Sequence, residues 1–424
     1  MKVVGRAGIG VDNVDIAAAT KRGVVVMNTP HGNAVTTAEH AIAMMLALAR
    51  QIPQASQSTK AGKWEKSRFM GTELTGKCLG LVGCGNIGSI VADRAQGLRM
   101  RVVGYDPYLS EENAKRMGVE KVDLDELLRR ANFISIHAPM TAATRNIIGA
   151  ALDVFMQEPA TDNILFDFDA VVATPHLGAS TVEAQEKVAV QVAEQMAEYL
   201  TTGALTNALN IASVSAEEAL VLKPYMDLGS RLGEFLGQVS ATGLKSVVIE
   251  LDGRAAKLNA DPITAATLAG LLGPNMESVN MVNAADVASS NGISVSTIRH
   301  DRQCDYETLL RVTIMYEDDE RTIAGTLIGG NKPRIVEVQS IAIESDFPQN
   351  LLYLRNYDSP GFIGDLGSLC GQRGLNIATF HLGRRDVGGE AVALVEIDGT
   401  VPDGVLGEIK ALSQVVRADI LQFS

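Results

Sequence analysis

The chain has few cysteines, relatively few basic residues, and no long apolar run. The four cysteines of its 424 residues (Cys78, Cys84, Cys304, Cys370) form no C-x-x-C pair and no metal-ligand spacing. No metal site is therefore expected, and the thiols read as reduced in a cytoplasmic protein. The longest fully apolar run, Ala41 to Ala49, falls far short of the roughly 20 residues that span a bilayer as a helix. The opening Met1-Lys2-Val3-Val4-Gly5-Arg6 carries no apolar signal core and begins in what reads as a strand. Acidic residues outnumber basic ones 50 to 37, for a net charge of −13. That balance argues against a nucleic-acid or membrane partner and leaves an anionic substrate to be drawn in by local basic groups. With 46% hydrophobic and 21% charged residues, the chain has an ordinary soluble composition, and its length allows two to four domains.

The sharpest local signal is Gly83-Cys84-Gly85-Asn86-Ile87-Gly88. A short apolar strand, Leu79 to Val82, precedes it, a helical stretch from Ser89 to Leu98 follows, and Arg101 to Tyr105 reads as a second strand ending at Asp106. This is one βαβ unit. The first glycine permits the tight turn, the second admits a pyrophosphate to the backbone, and the third lets helix and strand pack closely. An acid at the end of the second strand accepts hydrogen bonds from ribose hydroxyls and repels an added phosphate, so NAD is expected over NADP.

Elsewhere, Val24 to Met27 reads as a strand closed by Asn28-Thr29-Pro30, and a buried helix capped by Thr36 or Thr37 runs to Arg50. Phe133 to His137, Ala150 to Phe155 and Val171 to Thr174 read as strands, and Glu183 to Thr201 as a long helix. Beyond about Ser213 the pattern changes. Lys245 to Leu251 is a strand and Pro262 to Leu272 a helix. Leu309 to Tyr316 and Arg321 to Ile328 form a hairpin with a charged tip, and Ile335 to Ile343 alternates as a further strand. From Leu351 to Ser424 the order is β-α-β-β-α-β, a shape common in small regulatory modules.

Arg6-Ala7-Gly8-Ile9-Gly10-Val11-Asp12-Asn13, Asn28-Thr29-Pro30, Thr37-Ala38-Glu39-His40, the glycine turn, Glu158-Pro159 and Thr174-Pro175-His176-Leu177-Gly178-Ala179-Ser180 occur in that order. Together they closely resemble the D-isomer-specific 2-hydroxyacid dehydrogenase family. The segment Asn356 to Arg384 is similar to an ACT domain, and the block before it to the intervening domain of the long-form D-3-phosphoglycerate dehydrogenases. The resemblance implies an α/β fold with a Rossmann-type parallel sheet, an α+β intervening domain and a ferredoxin-like C-terminal domain. The expected boundaries are 1–30 with 181–212 for a substrate-domain remnant, 31–180 for the NAD-binding domain, 213–345 for the intervening domain and 346–424 for the ACT domain.

The implied reaction is NAD-dependent oxidation of 3-phosphoglycerate, or a similar small 2-hydroxy acid, at C2, the first step of serine biosynthesis. Such chemistry needs a base for the hydroxyl proton that titrates near neutral pH. His176 fills that role, with Glu158 holding its ring. By the same resemblance Arg6, Gly8 and Asn33 contact substrate, although Gly8 also suits a plain strand-to-turn transition. Gly83, Gly85, Asn86, Ile87, Gly88, Asp106, His137, Pro139 and Thr144 line the cofactor. Asn356, Asp358 and Asn376 bind L-serine as an effector between two ACT copies, which implies a homo-oligomer. Alternatively, Asp358-Ser359-Pro360-Gly361 only starts a helix and Asn376 only ends a turn.

Two family segments have no counterpart here. The chain begins inside the substrate domain, and Ile148 runs through Gly149 and Ala150 straight into the strand at Ala151. A parallel crossover needs a dozen or more residues, so the sheet is expected to lack one interior strand, along with the arginine that grips the substrate carboxylate. Two readings stay open: a serine-pathway dehydrogenase, or a non-catalytic relative that binds nucleotide weakly and senses serine.

Overall fold

A computed structural model describes residues 1–11, 13–30, 32–138, 151–155, 158–168, 171–240, 243–300 and 305–423. The chain divides into two compact units, one comprising 5–12 and 28–194 and the other 1–4, 13–27 and 195–424.

Strand β1 (Val3–Gly5), helix α1 (Ile16–Lys21) and strand β2 (Val25–Met27) open the chain, and β1 pairs with β2. Helix α2 (Ala34–Ala49) begins two to three residues before the expected caps. Asn33 occupies the N-cap position, and the Thr37 hydroxyl donates to the Asn33 carbonyl from inside the first turn. Helix α3 (Ile52–Lys60) follows. Next come β3 (Cys78–Val82), α4 (Asn86–Gly97), β4 (Arg101–Tyr105), α5 (Glu111–Arg116), β5 (Glu120–Lys121), α6 (Leu124–Arg130) and β6 (Phe133–Ile136). These strands form a parallel sheet in the order β5-β4-β3-β6. Its core strand β3 is buried along its whole length, as a doubly covered parallel strand should be.

Strands β7 (Ala151–Leu152) and β8 (Val172–Ala173) pair in parallel but form a separate sheet. Among the described residues no strand joins β6 to β7. Ile134 and Ile136 on β6 are 39% and 36% exposed, unusual for apolar residues in the middle of a Rossmann-type sheet. The break falls where the sequence lacks a crossover. Helix α7 (Val182–Thr202) follows β8.

Helix α8 (Ala216–Val239), not foreseen from the sequence, packs tightly against α9 (Ala260–Leu272), which follows β9 (Ser246–Gly253). A Cβ added at Gly233 would lie 2.2 Å from the Thr267 carbonyl oxygen, and one at Gly270 would lie 2.1 Å from that of Ser230. Helix α10 (Ala284–Ser290), β10 (Ser294–Arg299), β11 (Thr308–Met315), β12 (Glu320–Ile328), β13 (Lys332–Val338) and β14 (Ile341–Ser345) complete a sheet ordered β10-β9-β11-β12-β13-β14. The β11–β12 hairpin is present with its charged tip. The single strand expected over 335–343 is instead two antiparallel strands. Gln339 and Ser340 between them have φ of 53° and 61°, a tight turn that the apolar alternation conceals.

The C-terminal elements are β15 (Asn350–Tyr357), α11 (Phe362–Gln372), β16 (Ile377–Arg384), β17 (Glu390–Ile397), α12 (Asp403–Lys410) and β18 (Val415–Gln422). Their antiparallel order β16-β17-β15-β18 is ferredoxin-like. Of the four cysteines, Cys78, Cys84 and Cys370 are buried and free, and Cys304 lies outside the described residues. No helix among the described residues is long and apolar enough to cross a membrane.

Candidate functional site

The glycine turn is held by backbone geometry. Gly83 has φ 93°, open to glycine at little cost, and a Cβ there would meet the His137 carbonyl oxygen at 2.6 Å. A Cβ on Gly88 would lie 2.2 Å from the Gly83 carbonyl oxygen, so the third glycine seats α4 against the turn. Gly85 is different: nothing lies within 4 Å of where its Cβ would be. It is also the N-cap of α4 and has no side-chain cap bond, so the first-turn N–H groups are left for an anion.

Asp106 Oδ2 accepts from the Cys84 N–H at 2.9 Å and Oδ1 from the Tyr108 N–H at 2.8 Å. Each oxygen keeps lone-pair capacity for a ribose hydroxyl. An open cradle, uncapped amides and a fixed carboxylate fit a dinucleotide. Burial and the Asp106 charge push the Cys84 thiol up to about 11, so it stays protonated inside the turn. His137 hangs below: its N–H donates to the Val82 carbonyl and its Nε2 lies 2.8 Å from Ser135 Oγ. Burial pushes its pKa down to about 4, so the ring is neutral. Pro139 and Thr144 lie outside the described residues.

The loop after β8 presents His176 with φ 54°. His176 Nδ1 lies 2.8 Å from Glu158 Oε2. The carboxylate has only lone pairs to offer, so Nδ1 carries the hydrogen and Nε2 remains as the proton acceptor. The hydrogen bond from His176, with a second from the Phe155 N–H, holds the Glu158 carboxyl below the usual range.

Sequence reading missed the hub of this loop, Asp153. Its Oδ1 accepts from the Thr174 hydroxyl at 2.6 Å and the Leu177 N–H at 2.7 Å, its Oδ2 from the Gly178 N–H at 2.7 Å, and its backbone oxygen from the His176 N–H at 2.9 Å. Burial opposes its charge, but these hydrogen bonds and nearby His40 outweigh that and keep its pKa low. An Asp ahead of a Val-Phe pair gives no cue to this role.

Arg6 folds back so that Nη1 donates to the Ala7 carbonyl at 2.6 Å and its guanidinium covers Gly8, whose φ is 140°. Gly8 is tied to the turn before α2. Its N–H donates to Thr29 Oγ1 at 2.7 Å, and its carbonyl accepts from the Thr29 N–H at 3.0 Å. Asn33 stands four residues on, with a buried Oδ1 that has no hydrogen-bond partner. A buried acceptor of that kind calls for an explanation. The start of α2 reaches the His176 loop, since a Cβ on Gly178 would lie 3.4 Å from Thr37 Cγ2.

In the C-terminal module the structure brings together only part of the expected effector set. Asn356 is 2% exposed with Oδ1 unpartnered. Asp358 Oδ2 accepts from the Gly388 N–H at 3.1 Å and from Arg384 Nη1 at 2.7 Å, and in that order these lower its pKa. Arg384 was not foreseen. Asn376 sits at the opposite end of the sheet, bonded to Asp398 at 2.6 Å. Asn356 aligns with Ala391 of β17, whereas Asn376 lies beside Asp398 at that strand's far end, some 20 Å away at the usual rise. A single copy does not bring Asn376 to the other two.

A family model described as "D-isomer specific 2-hydroxyacid dehydrogenase, NAD binding domain" matches residues 42–151, and one described as "D-3-phosphoglycerate dehydrogenase intervening domain" matches 221–339. A D-3-phosphoglycerate dehydrogenase of Bacillus subtilis is 36% identical over 460 residues, covering 99% of this chain and 88% of the relative. Relatives of the same name from Synechocystis and Methanocaldococcus jannaschii are each 38% identical, with 98% of this chain covered and 82% and 86% of theirs. The first alignment exceeds the 424 residues of this chain by 36, so that relative carries internal residues with no counterpart here. Among solved structures, a glyoxylate reductase from Paecilomyes thermophila is 26% identical with a TM-score of 0.45, over 49% of this chain and 75% of that one.

Proposed function

Because the chain belongs to the D-3-phosphoglycerate dehydrogenase family, whose NAD-binding domain and intervening domain it carries, we propose that it oxidises 3-phosphoglycerate at C2 with His176 as the base. When bound, NAD supplies the hydride acceptor. Gly83, Gly85, Asn86, Ile87 and Gly88 receive its pyrophosphate, and Asp106 receives its ribose. His176 Nε2 takes the hydroxyl proton, and Glu158, already bonded to Nδ1, stabilises the imidazolium that results. Arg6 meets an anionic group of the substrate, and Asn33 hydrogen-bonds the substrate from the start of α2. The observation that carries this reading is the 2.8 Å His176–Glu158 pair, in a chain whose glycine cradle is open at Gly85. NADH formation from 3-phosphoglycerate by the purified chain tests it, with loss of the signal expected in His176→Ala. Fluorescence titration of NADH and NADPH tests the cofactor side. Equal affinities would sink the role given to Asp106, and Asp106→Ala should relax the preference.

The rate is expected to be low. No arginine replaces by motif the one that would grip the substrate carboxylate, and such a contact contributes roughly 10² to 10⁴ in rate. The second reading, a nucleotide-binding relative without turnover, is favoured by the excess alignment length and by the break between β6 and β7. Under either reading, residues 346–424 bind L-serine. Asp358 and Asn356 lie at one end of the sheet and Asn376 is supplied by a second copy, so the chain is a homo-oligomer. Calorimetry with L-serine on the full chain, beside light scattering, tests this. Heat with an oligomer is expected, and no heat would overturn it.

A further inference from the structure

Helix α2 carries Asn33 at its N-cap and Thr37, His40 and Met44 behind it, spaced so that they share one face. That face runs along the loop bearing His176. Thr37 Cγ2 backs Gly178, His40 Nε2 lies 3.1 Å from Thr174 Oγ1, and Met44 Sδ lies 3.6 Å from the same hydroxyl. The Thr37 hydroxyl is engaged with the Asn33 carbonyl, and a thioether accepts only weakly. Of the three side chains that meet the loop, His40 is thus the strong hydrogen-bonding one.

The direction of its bond follows from the partners. Thr174 has one hydroxyl hydrogen, and it points to Asp153 Oδ1 at 2.6 Å. His40 Nε2 must therefore be the donor, and at 3.4 Å from Asp153 Oδ1 it faces both acceptors of the pair. The two side chains are 22% and 16% exposed, so water competes little for this bond. Asp153 in turn holds the N–H groups of His176, Leu177 and Gly178.

We propose that His40 is a positioning residue for the oxidation. It fixes the separation between Asn33, the substrate amide at the start of its own helix, and His176, the base on the loop it hydrogen-bonds. The inference rests on the reading of His176 as the base. His40 touches neither substrate nor cofactor, and acts through Thr174 and Asp153.

The test uses the full chain with His40→Phe, His40→Gln and His176→Ala. Steady-state NADH formation is read as kcat and KM separately, and the imidazole Cε1–H proton resonances are recorded alongside. The six histidines give a short spectrum in which His176→Ala identifies the His176 line. His40→Phe is expected to lower kcat about 10- to 100-fold, as misplaced reacting groups do, while KM for NAD holds. It should also move the His176 line. His40→Gln, whose amide can still donate to Thr174, should restore most of the rate and return the line. An unchanged kcat and His176 line in His40→Phe would overturn the proposal, as would a His40→Gln variant no better than His40→Phe. Where turnover is too small to divide into kcat and KM, the His176 line alone decides. Full turnover in His176→Ala would instead overturn the base assignment, whatever the His40 variants do.

Discussion

The turn at 83–88 and the loop at 174–178 each shape backbone around a proposed ligand position, and they are held in opposite ways. In the turn, the constraint is the absence of side chains. Gly83 takes a φ of 93° and Gly88 leaves room for a carbonyl that a Cβ would strike at 2.2 Å. In the loop, the constraint is one side chain, Asp153, which gathers a hydroxyl and two amides onto its carboxylate and is itself faced by His40. The first kind of site is written in consecutive residues. The second is assembled from α2, β7 and the loop, which lie far apart in sequence.

The largest effect is expected where the loop loses its hub. Asp153→Ala leaves one hydroxyl and two amides without that acceptor, and should cost about 3 kcal/mol, since hydrogen bonds to a charged group contribute about 1.5–3 kcal/mol each and water takes up part of the loss at these partly exposed groups. Chemical denaturation measures this, and Asp153→Asn should fall between alanine and wild type. A cost below about 1 kcal/mol would show that the loop is not hung on Asp153. Gly88→Ala should cost about 1–3 kcal/mol, because the new Cβ meets backbone rather than a flexible side chain. It should also weaken NADH binding at least 10-fold (about 1.4 kcal/mol).

Acid should separate the two regions. His137, below the turn, has its pKa lowered by burial to about 4. The unfolded chain binds that proton more readily, so the stabilisation is full above about pH 6.5 and is lost as the pH falls from there towards 4. Asp153 is also lowered, but from the carboxylate range. Its contribution is full above about pH 4 and is lost only below it. The turn should therefore loosen first on acidification, read as lost NADH binding, and His137→Asn should flatten that dependence. The smallest stability effect is expected from Gly85→Ala, where nothing lies within 4 Å of the new Cβ. Stability should stay within about 1 kcal/mol of wild type while NADH affinity falls, separating the glycine that serves the ligand from the two that serve the fold.

The same contrast governs what could be read in advance. The βαβ unit and the order of the C-terminal module were legible because glycine, strand alternation and helix spacing are local signals. Helix α8 was not. Pro224 and the glycines at 229, 233 and 237 look like breakers, yet those glycines let α8 approach α9, and only the packed pair explains them. The start of α2 was misplaced because Thr36 and Thr37 stand nearer the apolar run, although Asn33, the actual N-cap, is at least as good a cap residue. His176 and Glu158 were foreseen as a pair, but Asp153, His40 and Arg384 matter through tertiary hydrogen bonds that no local spacing announces.

Site-resolved amide hydrogen exchange on Asp153→Ala tests the contrast most directly. The expected result is that the Leu177 and Gly178 amides exchange at least 10-fold faster than in wild type, while the amides of Gly83 to Gly88 keep their wild-type rates. Unchanged rates at Leu177 and Gly178, or equal acceleration in both regions, would contradict the account.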